Sequence, residues 1–87
     1  MSYNKKAFGI VISRLRVQKG LTQEELSGLA GIARSHLAAL ESGDKVVKLN
    51  TMWRIADALE IRPSDLVNRI EEESKATKEE DGNHDGR

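Results

Sequence analysis

The segment Leu21 to Gly43 reads LTQEELSGLAGIARSHLAALESG, and its punctuation decides the fold. Thr22 is followed three residues later by Glu25, the spacing of a capping box in which each side chain satisfies an orphan amide of a helix's first turn. A helix therefore begins at Thr22 or Gln23. It is expected to carry Leu26, Leu29 and Ala30 inward and to stop at Gly31, a residue free to take the left-handed conformation that strains others. Gly28 inside it costs about 1 kcal/mol relative to alanine, so this helix depends on packing. A second helix is expected from about Ala33 to Ser42, with Ile32, Leu37 and Leu40 toward the core and Gly43 closing it. Subtraction leaves Arg34, Ser35, Ala38 and Ala39 on its outer face, with His36 nearer the boundary.

Working outward, the same 3.6-residue periodicity recurs. Phe8, Val11, Ile12 and Leu15 fall at i, i+3, i+4 and i+7, one face of a helix from about Lys5 to Lys19 that Gly20 ends. Met52, Ile55, Ala56 and Leu59 repeat that spacing in a helix beginning between Leu49 and Thr51, for which Asn50 is a candidate cap. Pro63, the only proline, suits the first turn of a last helix. Asp65 favours the dipole there, and Leu66, Val67 and Ile70 form the apolar side. The expected fold is all-α, with five helices and no strand.

Eighty-seven residues make one domain with a single modest core. The absence of cysteine excludes disulfides, thiolate zinc sites and cysteine nucleophiles, and is compatible with a cytoplasmic location. The apolar run from Ala7 to Ile12, broken by Gly9, is too short for a signal peptide or a membrane span, so no membrane partner is expected. Net charge is zero, but the zero is a cancellation. Met1 to Ile70 holds 11 Lys or Arg against 7 Asp or Glu, whereas Glu71 to Arg87 holds 3 against 7. The basic part, residues 1–73, reads as a binding domain, and residues 74–87 as an acidic tail too polar to offset its ordering entropy. That tail is expected to be disordered from about Lys75. It serves either as a solubilising terminus or as a like charge that weakens nonspecific contact with phosphates.

Enzymatic function finds no support in the residues. There is no Ser/His/Asp set, paired-carboxylate cleft, metal-ligand spacing or Gly-rich phosphate loop, and a lone histidine is no metal site. Neither a cofactor nor a small-molecule ligand is expected. What remains is two short helices about a Gly-marked turn, a helix-turn-helix. A DNA major groove about 12 Å wide admits one α-helix, while the preceding helix braces that reader against the backbone.

LTQEEL, then AG, Leu37 and LESG, then an Ala-Asp-Ala-Leu-Glu-Ile stretch at residues 56–61, resembles the Cro/repressor-type (XRE-like) helix-turn-helix family of bacterial and phage regulators over roughly Phe8 to Val67. The resemblance implies a compact lambda-repressor-like domain. It also implies a transcriptional regulator, a repressor or autoregulator, that binds a pseudo-palindromic operator as a homodimer. Carried over position by position, Gln23 is the phosphate-contacting glutamine at a helix N-terminus, where free amides and the dipole favour an anion. Thr22 accompanies it. Arg34 and Ser35 occupy base-reading positions; arginine can bond guanine O6 and N7 bidentately, although an exposed arginine can equally serve a phosphate. Ala38 and Ala39 either let the helix sit deep against a thymine methyl or are simple helix formers.

His36 can donate to DNA or sit half-buried at the core edge. Ser42, Lys45 and Lys48 are candidate backbone anchors, which neutralise phosphate without reading sequence. Arg16 and Glu41 match positions that pair across the first and third helices in the family. Trp53, Leu66, Val67 and Ile70 are the dimer-interface candidates, with core filling the competing role for Leu66 and Trp53. Three departures stand out. Ala33 replaces the usual capping Ser or Thr, Asp44 stands where a basic residue is usual, and the DKVVK linker lacks the common proline. Val47 is nearer the variant in controller proteins of restriction-modification systems, a likeness that assigns no role. The competing functional class is a protein-interaction module, antitoxin-like or coactivator-like, built on the same fold.

Overall fold

The computed structural model describes residues 3–85, with side chains over residues 3–77. Five helices occupy these residues: α1 (Lys5–Gln18), α2 (Gln23–Ala30), α3 (Arg34–Glu41), α4 (Leu49–Ala58) and α5 (Pro63–Asp85). Several boundaries have a local cause. Asn4, absent from the sequence reading as a cap, accepts from the amides of Lys6 and Ala7 through its Oδ1 at 2.9 and 3.2 Å and starts α1. The Thr22–Glu25 capping box is formed in both directions, at 3.0 and 2.9 Å. Gly31 closes α2 at φ 73°, in the left-handed region. Helix α3 starts at Ala33 without any side-chain cap. Asn50 does not cap α4: the helix begins one residue earlier, behind Lys48, which also supplies no side-chain cap.

Helix α1 is the axis of the fold, packing against both α3 and α5, while α2 packs on α3 and α4. Phe8, Ile12, Leu26, Leu37, Leu40, Ile55 and Leu66 are fully buried at its centre. Each contributes roughly 1.5–3 kcal/mol relative to leaving it exposed. The approach of α3 to α1 is exceptionally close at Gly9. A Cβ there would lie 2.4 Å from the Glu41 carbonyl oxygen and 2.6 Å from that of Leu40. The glycine that interrupts the N-terminal apolar run is thus the point where two backbones touch.

Several sequence expectations are corrected. Leu29 is 64% exposed, because α2 buries Leu26, Ser27 and Ala30 and the i+3 position from Leu26 falls off that arc. Helix α5 runs from Pro63 to Asp85. Ser74 is buried at 4% exposure, so packing extends beyond Ile70. The Glu-Lys-Ala-rich composition of 71–80 supplies good helix formers and an i,i+3 contact between Glu72 and Lys75. The charges of residues 78–85 and residues 86–87 lie outside the described side chains and backbone, respectively.

Candidate nucleic-acid interface

The site is organised around one carboxylate. Glu41, at the last turn of α3, accepts from Arg16 Nε at 2.7 Å and from a terminal guanidinium nitrogen at 3.0 Å, a bidentate pair reaching from α1. The same guanidinium donates to the Leu21 carbonyl at 2.8 Å, holding the residue before the α2 cap. Gln23 Nε2 then donates to Glu41 Oε1 at 2.9 Å. With side-chain exposures of 15% for Arg16 and 6% for Glu41, these bonds are largely shielded from water. The hydrogen bonds to Glu41 push the Arg16 pKa above its ordinary value, against the opposing effect of burial. One acidic side chain therefore joins three helices and sets where the α2 N-terminus lies relative to α3.

That placement defines what an anion meets at α2. The Gln23 amide group has a second hydrogen beyond the one given to Glu41. Thr22 accepts from the Glu25 amide, which leaves the hydroxyl proton to be donated. The Thr22 amide itself is taken by Glu25, whose carboxylate keeps negative charge beside the cap. The hydrogen-bond donors left free at this end are the Gln23 side chain, the Thr22 hydroxyl and the remaining first-turn amides.

On α3, Arg34 and Ser35 are exposed in the first turn, and their amides have no side-chain cap to satisfy them. Ala38 and Ala39 are half-buried and, with Ser35, lie opposite the fully buried Leu37 and Leu40. The outer face of α3 is therefore shallow, with a single long cation at its leading edge. His36 is half-buried on the side nearer the core.

Beyond α3, Lys45 and Lys48 are exposed in the connection to α4. Ser42 is less available. Its one hydroxyl proton is shared between the Ala39 carbonyl at 3.1 Å and Asp44 Oδ2 at 2.9 Å, and Asp44 adds negative charge beside it.

The candidate oligomer surface divides differently from the sequence reading. Leu66 and Ile70 belong to the core, at 0% and 7% exposure, because α5 turns positions i and i+4 onto α1. Val67 and Trp53 point out, at 48% and 53%. Leu49, 69% exposed, and Tyr3, 50% exposed, line one apolar groove with Val67, and Trp53 follows Leu49 by one turn of α4. Sequence reasoning missed Leu49 and Tyr3. The clue for Leu49 was its i,i+4 spacing to Trp53, outside the arc that Met52, Ile55 and Ala56 use.

With this geometry established, the family-model description "Helix-turn-helix" matches residues 12–66. The chain belongs to that helix-turn-helix family, of the Cro/repressor (XRE) type, a family of DNA-binding regulators. Among its relatives, y4dJ of Sinorhizobium fredii, described as an HTH-type transcriptional regulator, is 35% identical over 68 residues, 78% of this chain and 88% of y4dJ. The restriction-modification controller protein C.AhdI from Aeromonas hydrophila is 37% identical, with a TM-score of 0.71 over 75% of this chain and 98% of its own. The controller protein C.Esp1396I, a tetramer in complex with its natural 35 base-pair operator, shares the fold at 22% identity and a TM-score of 0.75, covering 84% of this chain and 96% of that one. Among the described residues, no helix is long and apolar enough to cross a membrane.

Proposed function

We propose that the protein is a transcriptional regulator that binds a pseudo-palindromic operator as a homodimer, acting as a repressor or autoregulator. The observation that carries this reading is the Arg16–Glu41–Gln23 network, which fixes the N-terminus of α2 against a second helix whose outer face is free. Gln23 and Thr22 anchor the backbone, Arg34 and Ser35 read base edges, and Ala38 and Ala39 allow close approach. Lys45 and Lys48 add charge neutralisation without sequence information. Membership of a family of DNA-binding regulators supports action by binding, without catalysis, in the cytoplasm. Two-fold pairing follows from the small footprint of one module and from the apolar face on α4 and α5. Residues 1–73 form the binding unit, and the acidic tail of residues 74–87 opposes nonspecific contact with phosphate.

Selection of bound sites from random duplex DNA tests the proposal. The expected product is a motif with two inverted half-sites, their centres about 10 base pairs or a multiple apart. Recovery of unenriched sequence with salt-dependent affinity alone would overturn it.

A further inference from the structure

Resting on the homodimer reading, we infer that Trp53 of each copy seats in the apolar groove of the other. The groove has a volume of about 250 Å³ and is walled by Tyr3 and Val47, by Leu49 and Met52 from the start of α4, and by Val67 and Ile70 from α5. It is smaller than the roughly 300–1,000 Å³ typical of small-molecule sites, a size that suits a side chain better than a ligand. The second groove, between α1 and α5, is lined largely by charged and polar side chains and is crossed by the Arg14–Glu73 ion pair at 2.7 Å, so it has no comparable apolar seat.

The chain itself carries the complementary group. Trp53 lies one turn after Leu49 on the same flank of α4, next to the groove wall, and is half exposed with no hydrogen-bond partner among the described residues. An indole that borders an apolar groove it does not fill is self-complementary under a two-fold axis: as one Trp53 enters the partner's groove, the partner's enters the first. Area supports the same occupant. A fully covered Tyr or Trp buries about 150–250 Å², so the open parts of Trp53, Tyr3, Leu49 and Val67 reach roughly 400 Å² per copy. Two such patches facing each other approach the roughly 1,000 Å² of a specific interface. None of the groove residues lies on α2 or α3, so the pairing leaves Gln23, Arg34 and Ser35 uncovered.

Trp53 is the only tryptophan, which makes its fluorescence a direct reporter. The full chain is titrated in concentration with sedimentation velocity and tryptophan emission followed in parallel, alongside Val67→Glu, a substitution at a half-exposed wall residue whose folding is checked by circular dichroism. The expected result is an emission shift to shorter wavelength and loss of iodide quenching in step with dimer formation. Val67→Glu is expected to keep its helical spectrum, weaken the dimer by about tenfold or more and delay the shift equally. An apolar dye, anilinonaphthalene sulfonate, is expected to bind the monomer and be displaced by dimerisation. Dimerisation with unchanged emission, a Val67→Glu dimer as tight as the parent, or dye binding that persists in the dimer each overturns the seating of Trp53 while leaving the dimer intact. A chain that stays monomeric throughout, alone and on DNA, overturns the dimer reading itself.

Discussion

Gln23, the first residue of α2, donates its side-chain amide to Glu41, the last residue of α3, at 2.9 Å. The first turn of α2 and the end of α3 are therefore coupled through a carboxylate that also holds Arg16 from α1. Two kinds of residue meet in this network, and mutation separates them. Arg16 and Glu41 keep one another's buried charge compensated, whereas Gln23 is neutral and has a hydrogen to spare.

Arg16→Ala leaves Glu41 shielded from water and without its charge partner, so it is expected to lower unfolding free energy by about 3–5 kcal/mol. Chemical denaturation followed by circular dichroism measures this. Gln23→Ala is expected to change stability by only about 1 kcal/mol while weakening binding to operator and random duplex alike, with the salt slope little changed because the amide carries no charge. A Gln23→Ala protein that binds both DNAs as tightly as the parent would remove Gln23 from the phosphate contacts.

Arg34→Ala is expected to cost about 1–3 kcal/mol on the selected operator and to relax preference at one base pair. Lys45→Ala should weaken operator and random duplex alike. Binding isotherms on both DNAs decide the matter: an equal loss on the two for Arg34→Ala assigns that arginine to phosphate.

Gly9→Ala places a methyl group 2.4 Å from the Glu41 carbonyl oxygen, a backbone atom that cannot swing aside. The helices must separate, with an expected loss of about 1–3 kcal/mol. Because Glu41 moves with its backbone, DNA affinity should fall further than the folded fraction alone explains. Urea denaturation and operator binding, compared on the same samples, check both parts.

The Lys19–Glu60 ion pair joins the ends of α1 and α4, and Lys19, through hydrogen bonding and then charge, holds the Glu60 carboxyl below its ordinary value of 4.5. The folded value is depressed, so the stabilisation is present above about pH 4.5 and disappears as pH falls through the folded value. Lys19→Met is expected to flatten the acid limb of the stability–pH curve and leave the curve near neutrality little changed, since exposed pairs contribute little. Thermal melts across pH 3–7 test it; identical acid limbs would remove the pair from the acid response.

Removal of residues 78–87 is expected to preserve the melting transition, because the cut spares the buried Ser74. The deleted segment carries net negative charge, so binding to random duplex should tighten at low salt and converge with the full chain at high salt. Filter binding at several ionic strengths is sufficient.

The helices and their ends were largely written in local chemistry. The Thr22–Glu25 box, Gly31 as a left-handed stop, Pro63 in a first turn and the i, i+3, i+4 rows act within a few residues, and sequence carries such information directly. The assignment of single side chains depended on which arc of a short helix met its neighbours. Periodicity over eight residues places Leu29 and Leu26 on one stripe, yet α2 buries Leu26 and leaves Leu29 in water. It equally groups Leu66, Val67 and Ile70, although only Val67 is free to meet another chain. The reach of α5 past Ile70 turned on packing as well, since Ser74 has little apolar surface of its own and is buried because α5 packs along α1. Sequence alone therefore determined which helices form and which face of α3 is turned outward. The Gln23–Glu41 bond, the contact of Gly9 with the α3 backbone and the groove beside Trp53 were decided only by tertiary structure, because each joins residues far apart in the chain and depends on interhelical distances that no local pattern encodes.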